Sequence, residues 1–381
     1  MSGRAIPFNR AFIAGNELSY VAQAVASGTL GADGSFTRRC CAWMEQRFGA
    51  RRVLLTPSCS SALEIAAVLC DLTPGDEVLV PSFTFVTTAS AFLATGCRLR
   101  FVDIRPDTLN MDETLLPALI GPRTRVIVPV HYAGVGCAMD EIMALADRHS
   151  LLVVEDAAQA VGARYRGRSL GTIGHLGCFS FHETKNLICG EGGALVINDA
   201  RFEARADVVR HSGTNRSEFL RGGVDRYTWV DVGSSHLPSE MVAAFLYGQL
   251  EEAERITARR WTIYRRYHAG LAPLVARGCL QTAPAPDDAQ HNAHMFYVLA
   301  EDGSTRDALI AWLKARGIQA VFHYVPLHSS PMGRRMGYVP EDLPVTESVS
   351  ARLLRLPCYF ELEPSDQSRV IDAIVDFFSR R

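Results

Sequence analysis

Gly174-His175-Leu176-Gly177-Cys178-Phe179-Ser180-Phe181-His182-Glu183-Thr184-Lys185-Asn186-Leu187-Ile188-Cys189-Gly190-Glu191-Gly192-Gly193 is the stretch that decides how the rest of the chain is read. Cys178 to Phe181 is a short strand-like run, and one lysine, Lys185, follows it. Gly190, Gly192 and Gly193 come next. Glycines at this density let backbone come close to something bulky. Most lysines are solvated loop residues, but this one sits in an apolar context. A lysine held away from water has a lowered pKa and becomes a usable amine nucleophile.

Upstream lies Leu151-Leu152-Val153-Val154-Glu155-Asp156-Ala157-Ala158-Gln159. Four apolar residues without alternation read as a strand buried on both faces, as in a parallel sheet. Such strands present side chains at their carboxyl ends, where α/β proteins bind ligands. Asp156 stands at that end. Alone it reads as a helix N-cap. Beside Lys185 it reads as half of a pair: a carboxylate for a ring nitrogen and an amine that bonds to an aldehyde. That pair is the pattern for pyridoxal phosphate.

A phosphate needs its own support. Val53-Leu54-Leu55-Thr56 reads as a strand, and Pro57-Ser58-Cys59-Ser60-Ser61-Ala62-Leu63 opens a helix. Free N–H groups and the helix dipole make such a turn an anion site. Ser60 and Ser61 there, with Ser180 before the lysine, are the phosphate candidates. A serine N-cap reading of the same turn is equally physical, because capping and phosphate binding use the same groups.

The remaining chain fits one large and one small unit. Strands alternate with helices as far as Asp156, which argues layered α/β structure. Pro238 to about Leu271 reads as one long helix with the domain boundary inside it. Met295–Leu299 and Ile318–Val325 read as strands, Arg306–Arg316 and Ser365–Phe378 as helices, and 283–288 as a loop. At 381 residues, 48% hydrophobic and 21% charged, with net charge −2, the composition is that of a soluble globular protein. No basic run points to nucleic acid. No apolar stretch reaches the roughly 18 residues of a membrane span. The start lacks an apolar leader, so a cytoplasmic protein is expected. Ten cysteines without a Cys-x-x-Cys spacing read as reduced core residues, with no metal site.

Asp156-Ala157-Ala158-Gln159, Phe179-Ser180-Phe181 with Lys185-Asn186, and Gly190-Glu191-Gly192-Gly193 together resemble the DegT/DnrJ/EryC1/StrS sugar aminotransferases. The resemblance covers about residues 6 to 379. It implies an α/β fold of the aspartate-aminotransferase type (pyridoxal phosphate fold type I). Residues 1–250 would form a large domain with a mainly parallel sheet, and 251–381 a smaller α+β domain. It implies a homodimer, glutamate as donor, and a nucleotide-linked keto-sugar as acceptor. Members that dehydrate sugars carry histidine in place of the lysine, so Lys185 speaks against that activity. The full Asp156, Gln159, Ser180 and Lys185 set speaks against a non-catalytic binding protein.

Residue by residue, the resemblance makes Lys185 catalytic and places Gln159 near the cofactor's ring oxygen. Phe85 matches an aromatic that stacks on the ring; core packing is its other reading. Ser235 stands where the family has an asparagine reaching a partner subunit, and Leu237 where it has an arginine. Cys59 and Ser60 stand where the family more often has glycine and threonine. His131 and Tyr132 follow a strand, and His323 and His328 lie in a segment like one near the family's sugar site. These four are the substrate candidates.

Overall fold

The computed structural model describes residues 4–282 and 289–380. The expected loop at 283–288 lies outside them. Seven strands build the central sheet: β1 (Arg52–Thr56), β2 (Glu77–Pro81), β3 (Arg98–Val102), β4 (Thr124–Ile127), β5 (Leu152–Asp156), β6 (Leu176–Ser180) and β7 (Gly193–Ile197). They lie in the order β1-β7-β6-β5-β4-β2-β3. Neighbours from β3 across to β6 run parallel. β7 runs antiparallel to both β6 and β1, because a short hairpin rather than a helical crossover joins it to β6.

The sheet is buried on both faces, as its unalternating strands predict. Val78 and Val80 pack into one layer and Leu79 into the other, all without exposed surface. Helices Cys59–Leu69 and Val86–Leu93 cover the first face; Ser35–Phe48, Met139–His149 and Glu240–Glu251 cover the second. The ligand-bearing carboxyl ends of β2, β4, β5 and β6 therefore open on one edge between these layers.

The stretch from 238 to 271 is two helices, Glu240–Glu251 and Ala253–Ala276, broken at Glu252. The first packs on the N-terminal helices of the large unit, and the second on the C-terminal helix Pro364–Ser379. The small sheet has β8 (Leu280–Gln281), β9 (Phe296–Ala300) and β10 (Leu353–Leu356), all antiparallel. Two expectations need correction. Residues 318–325 form no strand: Ile318 bridges only Ile6, and Val321 only Arg355. The N-terminus also crosses the expected boundary at 250. Ile6 N donates to Gly317 O at 2.8 Å, and the buried Ile6 side chain joins the small unit's core.

Candidate active site

Lys185 lies in the hairpin between β6 and β7. Phe181 N donates to Gly192 O and Cys189 N to Phe181 O, both at 2.8 Å; Glu183 N donates to Gly190 O at 2.9 Å. Gly190 turns the chain at φ +84°, where a side chain would be strained. Leu187, Ile188 and Cys189 are buried and fix the hairpin in the core. Lys185 itself is half-buried. Burial lowers the pKa of its amine and Arg355 adds to the effect, while the Asp156 carboxylate opposes it.

Asp156 ends β5 beside β6, paired with Cys178, and is 5% exposed. Its Oδ2 accepts from Thr88 Oγ1 at 2.7 Å, and Oδ1 from Ala158 N at 3.1 Å. Thr84 and Thr88 hydroxyls are 2.8 Å apart. Since Thr88 donates to the carboxylate, Thr84 donates to Thr88, and the chain Thr84–Thr88–Asp156 fixes the acid's rotamer. Sequence reasoning missed this support; its only signal was the i, i+4 threonine spacing at a helix start.

Gln159 is tied at both ends of its amide. Oε1 accepts from Ala133 N at 2.6 Å and Nε2 donates to Tyr324 Oη at 3.0 Å. Tyr324 was also missed. It comes from the small unit, lies against His323 with ring centroids 3.4 Å apart, and faces Phe83, Phe85 and Tyr132. Phe85 is 54% exposed, which decides against core packing and leaves its ring on the pocket edge.

The turn before helix Cys59–Leu69 fits a phosphate. Ser58 caps the helix by accepting from Ser61 N at 3.1 Å. Ser60 and Ser61 stay partly exposed. A Cβ on Gly193 would stand 2.4 Å from Cys59 N and 2.3 Å from Ser58 C, so only glycine lets β7 press against this turn. Ser180 pairs with that same glycine, and its hydroxyl accepts from His182 N at 3.4 Å. Cys59 is buried, its thiol pushed up by burial and then by the Asp156 charge, while Lys185 pulls it down. Asp156, Lys185 and Cys59 of this turn thus lie near enough to feel one another's charge.

The histidine expectations divide. His131 is fully buried; Nε2 lies 2.8 Å from Glu155 Oε2 and Nδ1 accepts from Cys137 N at 3.2 Å. Glu155 also accepts from the amides of Gly171, Ile173 and Gly174. His131 is therefore a core residue with no nitrogen left for substrate. His328 is likewise buried, bonded to Ser82 Oγ at 2.7 Å and to Pro340 O at 3.3 Å. His323 and Tyr132 come together, Nδ1 to Oη at 3.0 Å, next to Tyr324. Burial, then Arg355 and Lys185, holds His323 well below the usual histidine range and so neutral. Ser235 is exposed, away from this cluster in sequence, and bridges His211. Among the described residues no group of side chains suits a metal ion, and no helix is long and apolar enough to cross a membrane.

DesV of S. venezuelae is 32% identical over 100% of both chains, with a TM-score of 0.89. The aminotransferase TlmJ from Streptoalloteichus hindustanus is 29% identical over 99% of each chain, with a TM-score of 0.90. A DegT DnrJ EryC1 StrS aminotransferase from Brucella abortus is 30% identical over 95% of each chain, with a TM-score of 0.86. Fold and site define a pyridoxal-phosphate-dependent aminotransferase of fold type I. The chain belongs to the DegT/DnrJ/EryC1/StrS aminotransferase family, whose model matches residues 12–375.

The bound cofactor supplies an electrophilic aldehyde and a ring that accepts an electron pair. The residues present fit that group: Lys185 would hold it covalently, Asp156 would hold a proton on its ring nitrogen, and the Ser60–Ser61 turn would hold its phosphate. Gln159 and Tyr324, bonded to each other at 3.0 Å, would wall its ring-oxygen side.

Proposed function

We propose that this aminotransferase moves an amino group from glutamate to C4 of dTDP-4-keto-6-deoxy-D-glucose. The products are dTDP-4-amino-4,6-dideoxy-D-galactose and 2-oxoglutarate. The observation that carries the reading is the half-buried Lys185 in the hairpin after β6, with the buried Asp156 at the end of the neighbouring strand β5. Lys185 attaches the cofactor and, once released, moves the proton between substrate carbon and cofactor. Asp156, Gln159, Ser180, Ser60, Ser61 and Phe85 hold the cofactor; Tyr132 and His323 line the sugar's side.

The sugar assignment rests on likeness. Gly34 to Cys40, Val128 to Gly134, Phe181 to Asn186 and Gly233 to Ser235 support the dTDP-4-amino-4,6-dideoxygalactose transaminase type. Ser235 and Leu237, in place of the family's asparagine and arginine, belong to the same pattern. The similar structure from Micromonospora echinospora is described as a sugar aminotransferase, which supports the broader class. Ten unpaired cysteines suit a reducing, cytoplasmic setting.

The test is product NMR after incubation with glutamate and dTDP-4-keto-6-deoxy-D-glucose. Coupling constants at H4 should show an axial amine, the galactose configuration. An equatorial amine would make this a glucose-type enzyme. Turnover with a GDP-sugar alone would move it to the perosamine type.

The active unit is proposed to be a homodimer in which Ser235 reaches the partner's phosphate site. Its exposure in the single chain suits that role. Sedimentation should show a dimer at assay concentration. Ser235→Ala should weaken cofactor retention by about 1 kcal/mol, one lost hydrogen bond. A fully active monomer would overturn both statements.

A further inference from the structure

Asn186 follows Lys185 directly, and its side chain is buried. Nδ2 donates to Asn292 O at 2.8 Å, and Oδ1 lies 2.9 Å from His294 Nδ1. The amide nitrogen faces a carbonyl, so the amide oxygen faces the ring. His294 Nδ1 therefore carries the proton and donates it to Asn186. Asn292 donates Nδ2 to Gln159 O at 3.0 Å and to Val161 O at 2.9 Å. A Cβ on Gly134 would stand 2.1 Å from Asn292 Oδ1, so only glycine leaves room for this side chain. Three stretches meet here without exposed side chains: the Lys185 hairpin, the loop that carries Gln159, and the lead-in to β9 of the small unit.

That lead-in is itself held rigidly. Ala293, between the two polar residues, sits at φ +51°, where a side chain is strained. Buried Arg260 of helix Ala253–Ala276 fixes it: Nε donates to Ala293 O at 3.0 Å and Nη2 to His294 O. Backbone strain persists only where the surroundings over-determine it, and it gathers at functional sites. Burial, then the charges of Lys185, Arg260 and Arg355, holds His294 well below the usual histidine range. The ring stays neutral, so its one N–H is the one that Asn186 accepts. Spent on Asn186, that proton is not available to a substrate.

We propose that His294 is a positioning residue for Lys185: its Nδ1–H, acting through Asn186, locks the lysine's hairpin to the small unit. The inference rests on the reading of Lys185 as the residue that holds the cofactor. Loss of the bond would leave Asn186 Oδ1 buried and unpaired, which favours an opened, hydrated hairpin. Water reaching the amine would then raise its pKa toward the ordinary lysine value.

The experiment compares full-length His294→Asn and His294→Gln with the wild type. Asparagine puts an amide N–H near the place of Nδ1, whereas glutamine puts its own near Nε2. Both lose the ring, so packing alone would make them equal. The chain has two lysines, Lys185 and the exposed Lys314. Lysine labelled with ¹³C at Cε therefore gives two resonances, and the cofactor-free protein reports the Lys185 titration directly. His294→Gln should raise its midpoint by about one pH unit, while His294→Asn should stay close to wild type. In the holoenzyme, His294→Gln should lose about tenfold in amine transfer, and His294→Asn should recover most of it. Melting curves check that both variants are folded. Equal titrations in the two folded variants would overturn the proposal. A measurement on the wild type needs no variant to fold: long-range ¹H–¹⁵N spectra should show His294 as the Nδ1–H tautomer. An Nε2–H tautomer would overturn the proposal by itself. If borohydride fixes the cofactor on Lys314, the reading of Lys185 fails, and the titration still decides whether His294 places that amine.

Discussion

Replacing Lys185 with alanine should cut amine transfer by at least about 10,000-fold, since on the proposed reading one side chain would both anchor the cofactor and move the proton. Borohydride should fix a pyridoxyl group on a single wild-type peptide, the one containing Lys185, and on none in the variant. The fold should survive, because the hairpin is anchored by Leu187, Ile188 and Cys189 and by backbone bonds that the substitution leaves alone. Stability of the cofactor-free protein adds a signed check. The folded-state pKa of Lys185 is lowered, so its protonated form favours the unfolded chain. Above the ordinary lysine pKa, wild type and variant should melt alike with respect to this charge. As pH falls below that value, the wild type should lose stability relative to the variant, until the folded amine too is protonated. Label on another lysine, or measurable turnover without Lys185, would sink the assignment.

What could be read in the sequence was what the chain writes locally. Asp156 ends one strand and Lys185 follows the next one over, and the two strands lie side by side, so a linear pattern maps directly onto the candidate site. The glycines of the hairpin and the serine turn also declare themselves, because positive φ and close backbone approach restrict residue type. Tyr324 and Arg355 were invisible for the opposite reason. They enter through the packing of the small unit against the large one, which has no periodic signature. His131 misled because a strand end predicts where a residue starts but not what it meets. Glu155, one residue from Asp156 and on the other face of β5, turns that ring inward. The long helix from 238 divided because Glu240–Glu251 and Ala253–Ala276 answer to different cores. The strand expected at 318–325 reduced to single bridges because its two neighbours, Ile6 and Arg355, each meet it at only one residue.

Asp156→Asn should lower amine transfer by about 100- to 1,000-fold with the cofactor still bound. A neighbouring opposite charge shifts a pKa by roughly 1–3 units, and each unit is tenfold in the protonated population. Asparagine keeps the shape and loses the charge, so on the proposed reading it would no longer hold a proton on the ring nitrogen, and the ring would draw electrons less from the substrate carbon. The buried position of Asp156 makes the loss large, because little water reaches it to screen the interaction. Thr88→Val separates charge from placement. It removes the 2.7 Å bond to Oδ2 but leaves the carboxylate and the Ala158 N–H contact. That variant should fall only about tenfold, one charge-assisted hydrogen bond. It should also leave the pH dependence of the cofactor's absorbance almost as in wild type, whereas Asp156→Asn shifts it. Equal losses in the two variants would mean that Asp156 matters as a packed polar group rather than as a charge. Wild-type activity in Asp156→Asn would remove it from the site.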